Sequence, residues 1–151
     1  MDQGDAVPDF ELPDQDGSPR RLSALLVQGP VVLFFYPAAM TPGCTAESCH
    51  FRDLAAEFAA AGALRVGISA DPVAKQKRFA EVNGLDYPLL SDERGEVSRS
   101  FGVQRRFGPL GLKRKTFVIG TDQRVAAVIS SEFSMAKHAD EALRTLVTLD
   151  S

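Results

Sequence analysis

The two cysteines of this chain are its most reactive side chains, and they lie close together. Cys44 follows a turn-forming stretch, residues 37–43, that contains two prolines and a glycine, and Cys49 comes five residues later. An apolar run at 31–36 precedes the turn, and a helical pattern follows it. A buried strand that ends in a turn and opens a helix places Cys44 at the helix N-terminus, where partial positive charge favours the thiolate. The segment therefore predicts a nucleophilic thiolate at position 44.

The spacing of the cysteines limits how they can react with each other. Residues five apart on an ideal helix differ by about 140° and about 7.5 Å along the axis, which separates the Cα atoms of Cys44 and Cys49 by about 8.5 Å. A disulfide needs Cα atoms within about 7 Å. Joining the two thiols therefore requires the first turn and a half of the helix to unwind. In a reducing compartment we interpret such a disulfide as transient and catalytic rather than structural.

Other uses of the cysteine pair fit the sequence less well. The spacing Cys-x4-Cys differs from the Cys-x-x-Cys of thioredoxin-type dithiols, and a structural zinc site needs four ligands, whereas the only histidines are His50 and His138. We therefore expect no metal and no other cofactor. His50 lies beside Cys49, but a lone histidine on a helix flank is more often solvated or hydrogen-bonded than catalytic, and we assign it no role.

Hydrophobic periodicity predicts the elements that position the cysteines. We expect a hairpin of residues 9–12 with 19–22, strands at 31–36, 64–70, 87–90, 116–120 and 125–130, and helices at 44–61, 72–82, 96–101 and 136–148. Asp71 is expected to cap the second helix. In the first helix Cys44 shares the buried face with Phe51, whereas Cys49 is expected on the opposite face near Ala56 and Glu57, within reach of solvent. The order predicts an α/β fold, a mixed central sheet with helices on both faces.

Composition sets limits on the partners. The chain has 151 residues, 44% hydrophobic and 25% charged, which suits a single globular domain over residues 1–151. A net charge of -3 offers no attraction to nucleic acid or to an anionic membrane. Residues 1–5 are acidic and polar, unlike a signal peptide, and the apolar runs are too short to cross a bilayer. We expect a cytoplasmic protein that binds neither nucleic acid nor membrane.

The segment around Cys44 resembles the active-site signature of the peroxiredoxins, Pro37-x-x-x-Thr41-x-x-Cys44. The form Thr41-Pro42-Gly43-Cys44-Thr45, with a second cysteine at plus five, resembles the peroxiredoxin Q or bacterioferritin comigratory protein branch. The likeness extends from residues 9–13 to the last predicted helix and so covers nearly the whole chain. It implies a thioredoxin fold of the peroxiredoxin type with an N-terminal hairpin extension, in agreement with the predicted order of elements.

The resemblance also implies a role for each site residue. Cys44 becomes the peroxidatic cysteine, whose thiolate attacks hydrogen peroxide or an organic hydroperoxide. Thr41 positions the peroxide, and Pro37 shields the thiolate. Cys49 becomes the resolving cysteine, which forms an intramolecular disulfide that a thioredoxin-like protein reduces. Because both cysteines lie on one helix, we expect a monomer.

In the family an arginine just before the Thr-Phe strand contacts the thiolate, and Arg114 matches that place. Lys113, Lys115 and Arg105 or Arg106 are competing candidates. These five cations lie in the stretch 104–115, together with apolar side chains. One hypothesis is that this stretch borders the site and favours bulky or anionic organic hydroperoxides. The alternative is a solvated loop whose cations balance the acidic surface.

Two other functions remain open at this point. A disulfide oxidoreductase is disfavoured, because Cys-x4-Cys replaces Cys-x-x-Cys and no proline stands just before Thr116, where the thioredoxin fold usually has a cis proline. A redox-regulated binding module would use oxidation of Cys44 to unwind the helix and expose a partner surface. Sustained peroxide consumption with a thioredoxin system distinguishes a peroxidase from such a binding module, because a sensor reacts once and stalls.

Overall fold

The structure is a computed structural model that describes residues 1–104, 112–132 and 134–149. Its strands are β1 (Glu11–Pro13), β2 (Pro19–Arg21), β3 (Val31–Phe35), β4 (Leu64–Ser69), β5 (Leu89–Ser91), β6 (Lys115–Ile119) and β7 (Val125–Ser130). Its helices are α1 (Leu22–Leu26), α2 (Pro42–Asp53), α3 (Ala55–Ala60), α4 (Val73–Asn83), α5 (Glu96–Phe101) and α6 (Met135–Leu149). In the described part of the chain no helix is both long and apolar enough to span a membrane.

Five strands form a mixed central sheet in the order β5-β4-β3-β6-β7. β3 is parallel to β4 and antiparallel to β6, so that Phe34 pairs with Gly67 on one side and with Thr116 on the other. All five residues of β3 are buried, as an apolar, β-branched and aromatic run predicts for a central strand. β1 and β2 form a separate antiparallel hairpin ahead of this sheet. The predicted mixed sheet and N-terminal hairpin are confirmed.

Two apolar clusters cover the two faces of the sheet, because alternate side chains of β3 point to opposite sides. Leu33 and Phe35 belong to one cluster. Phe34 belongs to the other, which also contains Cys44 and Phe51 of α2. The rings of Phe34 and Phe51 stack with centroids 4.1 Å apart. This stacking holds α2 against the sheet and places Cys44 on its buried face, as the helical period predicts.

The predicted helix 44–61 is wrong in one respect, because the chain forms two helices. α2 ends at Asp53, and Leu54 leaves the helical region with φ -97° and ψ 21° before α3 begins. Arg65 on β4 donates to the carbonyl of Phe51 at 3.0 Å and so satisfies a carbonyl in the last turn of α2. The contact comes from another element, and the local period carries no sign of it.

Two further local expectations are corrected. Asp71 does not cap α4, because Pro72 occupies the N-cap position and the helix begins at Val73. The carboxylate of Asp71 accepts instead from the backbone N–H of Ala39, at 2.7 Å. α1 was not predicted, since five residues are too few to show a helical period. The remaining strands and helices agree with the predictions, with ends shifted by two residues or fewer.

Candidate active site

Cys44 lies in the first turn of α2, directly after the end of β3 and a short loop. Thr41 occupies the N-cap position and Pro42 is the first helical residue. The first hydrogen bond of the helix runs from the N–H of Thr45 to the carbonyl of Thr41, at 2.9 Å. The N–H groups of Gly43 and Cys44 precede that bond and are therefore free of intrahelical partners. The Cys44 thiol, fully buried, thus lies at the positive end of the helix.

The loop before α2 is held in an unusual conformation. Met40 has a φ of 69°, in the left-handed region that residues other than glycine rarely adopt. The Asp71 carboxylate fixes the preceding residue, Ala39, through its N–H. The hydroxyl of Thr41 donates to the carbonyl of Ala38 at 2.8 Å and does not donate to the Cys44 sulfur in this state. Its oxygen keeps lone pairs that can accept a further hydrogen bond.

Arg114, two residues after Leu112 and just ahead of β6, contacts the sulfur directly. Its Nη2 donates to Cys44 Sγ at 3.3 Å, and its Nη1 donates to Glu47 Oε1 at 2.9 Å. The guanidinium is buried, with the residue 7% exposed, and its backbone N–H donates to Glu132 at 3.1 Å. One buried cation therefore serves two buried acids from consecutive turns of α2.

The charges of this cluster are shifted by burial and by each other. Burial opposes ionisation of Arg114, but Glu47 and Cys44 outweigh it and raise the pKa of the guanidinium. Burial raises the pKa of Glu47 to about 8, even though Arg114 acts to lower it and the charge of Glu132 adds to the rise. Burial thus shifts Glu47 towards its protonated form.

His138 on α6 lies behind Glu47 and is fully buried. Its Nε2 is 2.8 Å from the carbonyl of Ser131 and 3.6 Å from Glu47 Oε2, and its Nδ1 is 2.8 Å from the hydroxyl of Thr116. A carbonyl only accepts, so Nε2 carries the hydrogen and Nδ1 accepts from Thr116. Burial lowers the pKa of His138 and keeps the ring neutral. The histidine is thus an uncharged neighbour of Glu47.

Cys49 lies on α2 beside the end of α4. It is half-buried, and its Sγ lies 3.8 Å from Oδ1 of Asn83 at the end of α4. Ala56 and Glu57, near which the sequence predicts Cys49, belong to the next helix, α3, because α2 ends at Asp53. Both cysteines are free thiols here.

The structure places the other candidates as follows. Nε2 of His50 hydrogen-bonds Asp140 at 2.9 Å at the surface, the hydrogen-bonded role that the sequence favours for this residue. Pro37 is half-buried at the start of the loop before α2. Arg105 and Arg106, with most of the basic stretch, lie outside the described residues. Within residues 1–104, 112–132 and 134–149 no cluster of histidine, cysteine and carboxylate side chains suits a metal ion.

Sequence reasoning missed three residues that shape the site. Glu47 lies one turn after Cys44 on the same helix, so the spacing of three is a local signal that could have identified it. Asp71 was assigned to a helix cap. His138 is distant in sequence and reaches the site only through the packing of α6 on α2, so no local signal identifies it.

This chain is similar to a known protein family and to individual proteins. Residues 3–128 match the AhpC/TSA family. A putative peroxiredoxin of Mycobacterium tuberculosis is 66% identical, with 100% of this chain and 99% of that protein covered. A chloroplastic peroxiredoxin Q of Populus jackii is 41% identical, with 99% of this chain and 70% of that protein covered. The chain belongs to the peroxiredoxin family.

A solved structure supports the fold of this peroxiredoxin. The bacterioferritin comigratory protein of Xanthomonas campestris, for which alkyl peroxide reduction activity is described, superposes with a TM-score of 0.87 at 30% identity, with 97% of this chain and all of that chain covered. The thioredoxin fold of the peroxiredoxin type is thereby confirmed, as is the peroxiredoxin Q or bacterioferritin comigratory protein branch. The enzyme is a thiol peroxidase.

Proposed function

We propose that this peroxiredoxin reduces hydroperoxides with Cys44 as the attacking thiolate and Cys49 as the resolving thiol. The observation that carries the proposal is the 3.3 Å contact between Arg114 Nη2 and Cys44 Sγ at the N-terminus of α2. A buried thiolate requires a compensating charge, and here a guanidinium and the positive end of a helix both face the sulfur. Among the described residues Arg114 is the cation hydrogen-bonded to the sulfur, so we assign it the role for which Lys113 and Lys115 also competed.

The first half-reaction oxidises the sulfur. The thiolate attacks one peroxide oxygen, the O–O bond breaks, and the other oxygen leaves as hydroxide or alkoxide and takes up a proton. Negative charge moves from the sulfur towards the leaving oxygen, so hydrogen-bond donors must face both of these atoms. Arg114 and the N–H groups of Gly43 and Cys44 supply those donors. The exposed Thr41 can accept a hydrogen bond from the incoming peroxide, and Pro37 shields the thiolate.

The second half-reaction forms a disulfide. The thiol of Cys49 condenses with the sulfenic acid of Cys44 and releases water, which protects Cys44 from further oxidation. Because the two residues are five apart on α2, this step requires the helix to unwind locally. A thioredoxin-like dithiol protein then reduces the disulfide. With both cysteines on one helix, a monomer in the cytoplasm completes the cycle without a second chain.

The substrate class includes organic hydroperoxides. The related Xanthomonas campestris protein is described with alkyl peroxide reduction activity, and here Cys44 belongs to an apolar cluster while the nearby Thr41 hydroxyl is exposed. Hydrogen peroxide needs the same donors and is therefore a substrate as well. The hypothesis that the basic stretch 104–115 selects bulky or anionic hydroperoxides stays a prediction, since residues 105–111 lie outside the described part.

The test is multi-turnover peroxide consumption with a thioredoxin system. Cys44→Ser should abolish turnover. Cys49→Ser should consume one equivalent of peroxide and then stop or over-oxidise, and the wild type should lose two hydrogens within one polypeptide by mass spectrometry after one equivalent. Equal multi-turnover rates for wild type and Cys49→Ser would remove Cys49 from its role. A wild type that reacts once and stalls with a reduced thioredoxin system would indicate a sensor instead.

A further inference from the structure

Glu47 is a buried acid that the reaction described above does not use. It is fully buried, Arg114 donates to its Oε1 at 2.9 Å, and its Oε2 has no hydrogen-bond partner among the described residues. A buried carboxylate oxygen without a donor costs far more free energy than a neutral carboxylic acid. The geometry therefore favours a protonated Glu47 whenever another anion shares Arg114.

Cys44 is that second anion. Arg114 binds Cys44 through Nη2 and Glu47 through Nη1, so a single positive charge faces two groups that can each become negative. If both were ionised, the buried cluster of Cys44, Glu47 and Arg114 would carry a net charge of -1, with no second cation in contact among the described residues. If one proton is bound between them, the cluster is neutral. Burial strongly favours the neutral arrangement.

The other groups around Glu47 do not supply the missing positive charge. His138 on α6 is kept neutral, since burial lowers its pKa and its Nε2–H points at the Ser131 carbonyl. Glu132, after β7, adds negative charge that raises the pKa of Glu47 further. Tyr87, ahead of β5, is buried and its own pKa is raised well above the usual value. Arg114 is thus the compensating cation among these neighbours.

We propose that Cys44 and Glu47 hold one proton between them across Arg114, so that Glu47 takes the proton that the thiol loses and gives it up when Cys44 is oxidised. The inference rests on the role of Cys44 proposed above. The raised pKa of Glu47, about 8, agrees with it.

The oxidation step then conserves the charge of the buried site. A thiolate, a carboxylic acid and a hydroperoxide become a sulfenic acid, a carboxylate and an alcohol. Sulfur loses two electrons to the O–O bond, one oxygen joins the sulfur, and the leaving oxygen gains a proton that is matched by the one Glu47 releases. Arg114 faces one anion before the step, Cys44, and one after it, Glu47.

The experiment removes one of the two groups at a time and measures the titration of the other. Infrared spectroscopy detects the C=O stretch of a protonated carboxylic acid, and ultraviolet absorbance detects the thiolate. In the Cys44→Ser variant, whose hydroxyl does not ionise, we expect Glu47 to lose its proton at a pH lower by about one unit or more than in the reduced wild type. In the Glu47→Gln variant we expect the Cys44 thiolate to appear at lower pH by a similar amount. Glu57→Gln, on the exposed surface of α3, should change neither titration.

Independent titrations would overturn the proposal. If the carboxylic acid signal of Glu47 titrates identically in wild type and Cys44→Ser, or if the thiolate of Cys44 titrates identically in wild type and Glu47→Gln, the two groups do not share a proton. Either variant suffices, so a folding failure in one leaves the other decisive. Neither measurement depends on turnover, so loss of the coupling is distinguishable from loss of the peroxidase function.

Discussion

Cys44 and Glu47 lie one turn apart on the same face of α2 and accept hydrogen bonds from two different nitrogens of the Arg114 guanidinium. The planar fork of an arginine presents donors on two separate nitrogens in a fixed geometry, whereas a lysine presents its three donors from a single nitrogen. Thus the residue type at position 114 matters beyond its charge, and the fork fixes the sulfur relative to the helix N-terminus.

Replacing the fork by a point charge tests this relationship. In Arg114→Lys we expect the loss of one charged hydrogen bond, about 1.5–3 kcal/mol, which corresponds to a fall of roughly 10- to 150-fold in the rate constant for peroxide attack. Stopped-flow measurement of Cys44 oxidation under single-turnover conditions gives that constant. Arg94→Lys, on the exposed surface, is the matched control and should react as the wild type. An unchanged rate in Arg114→Lys would show that charge alone is sufficient.

A second prediction concerns the unwinding of α2. The hydroxyl of Tyr87 donates to the carbonyl of Ser48 at 2.6 Å, directly beside Cys49, and holds the middle of α2 to the segment before β5. Tyr87→Phe removes about 0.5–1.5 kcal/mol of stabilisation, so disulfide formation should accelerate roughly 2- to 10-fold. Quenched mass spectrometry after one equivalent of peroxide follows the bridge.

Tyr36→Phe is the control for that effect. Tyr36 is equally buried and its hydroxyl donates to Gln76 on α4 at 2.6 Å, so the same bond is lost away from α2. Its disulfide should form at the wild-type rate. Equal acceleration in both variants would attribute the change to global stability and not to the contact on α2.

The parts of this site that the sequence predicts are the local ones. Cys44 and Phe51 share a face because seven residues make about two turns of a helix. The turn before Cys44 is marked by its prolines and glycine. The break at Leu54 and the contact of His138 with Glu47 depend on tertiary contacts with other elements, Arg65 on β4 and the packing of α6, which the helical period of α2 does not reveal. Arg114 could be proposed only by resemblance to the family, because its contact with Cys44 spans 70 positions.

Gly43 provides a third prediction. A Cβ at this position would lie 3.3 Å from Arg114 Nη2 and 3.7 Å from the sulfur of Met135, so Gly43→Ala must displace the guanidinium by a few tenths of an ångström. We expect slower attack on peroxide with little loss of stability, since alanine favours a helix over glycine. Ala46→Gly, on the exposed face of α2, changes helix propensity without touching Arg114 and should leave the attack rate unchanged. A wild-type rate in Gly43→Ala would indicate that Arg114 tolerates the shift.

The raised pKa of Glu47 predicts how stability depends on pH. The carboxyl has a pKa of about 8 in the folded protein and an ordinary value of 4.5. Between these values the folded state binds more protons than the unfolded state, so the free energy of unfolding falls as pH rises, by up to about 1.4 kcal/mol per pH unit from this group. His138 has the opposite effect at lower pH, because its lowered pKa makes the folded state lose stability as pH falls below 6.5.

Urea unfolding of the reduced protein at several pH values isolates the Glu47 contribution. The difference in unfolding free energy between Glu47→Gln and wild type should grow in favour of the variant as pH rises from 5 towards the folded pKa of about 8 and level off above it. Glu57→Gln should show no such trend, because its carboxylate is exposed in the folded state. If the difference between Glu47→Gln and wild type is flat across this range, Glu47 is ionised in the folded protein at neutral pH, and Arg114 then balances it at the expense of the Cys44 thiolate.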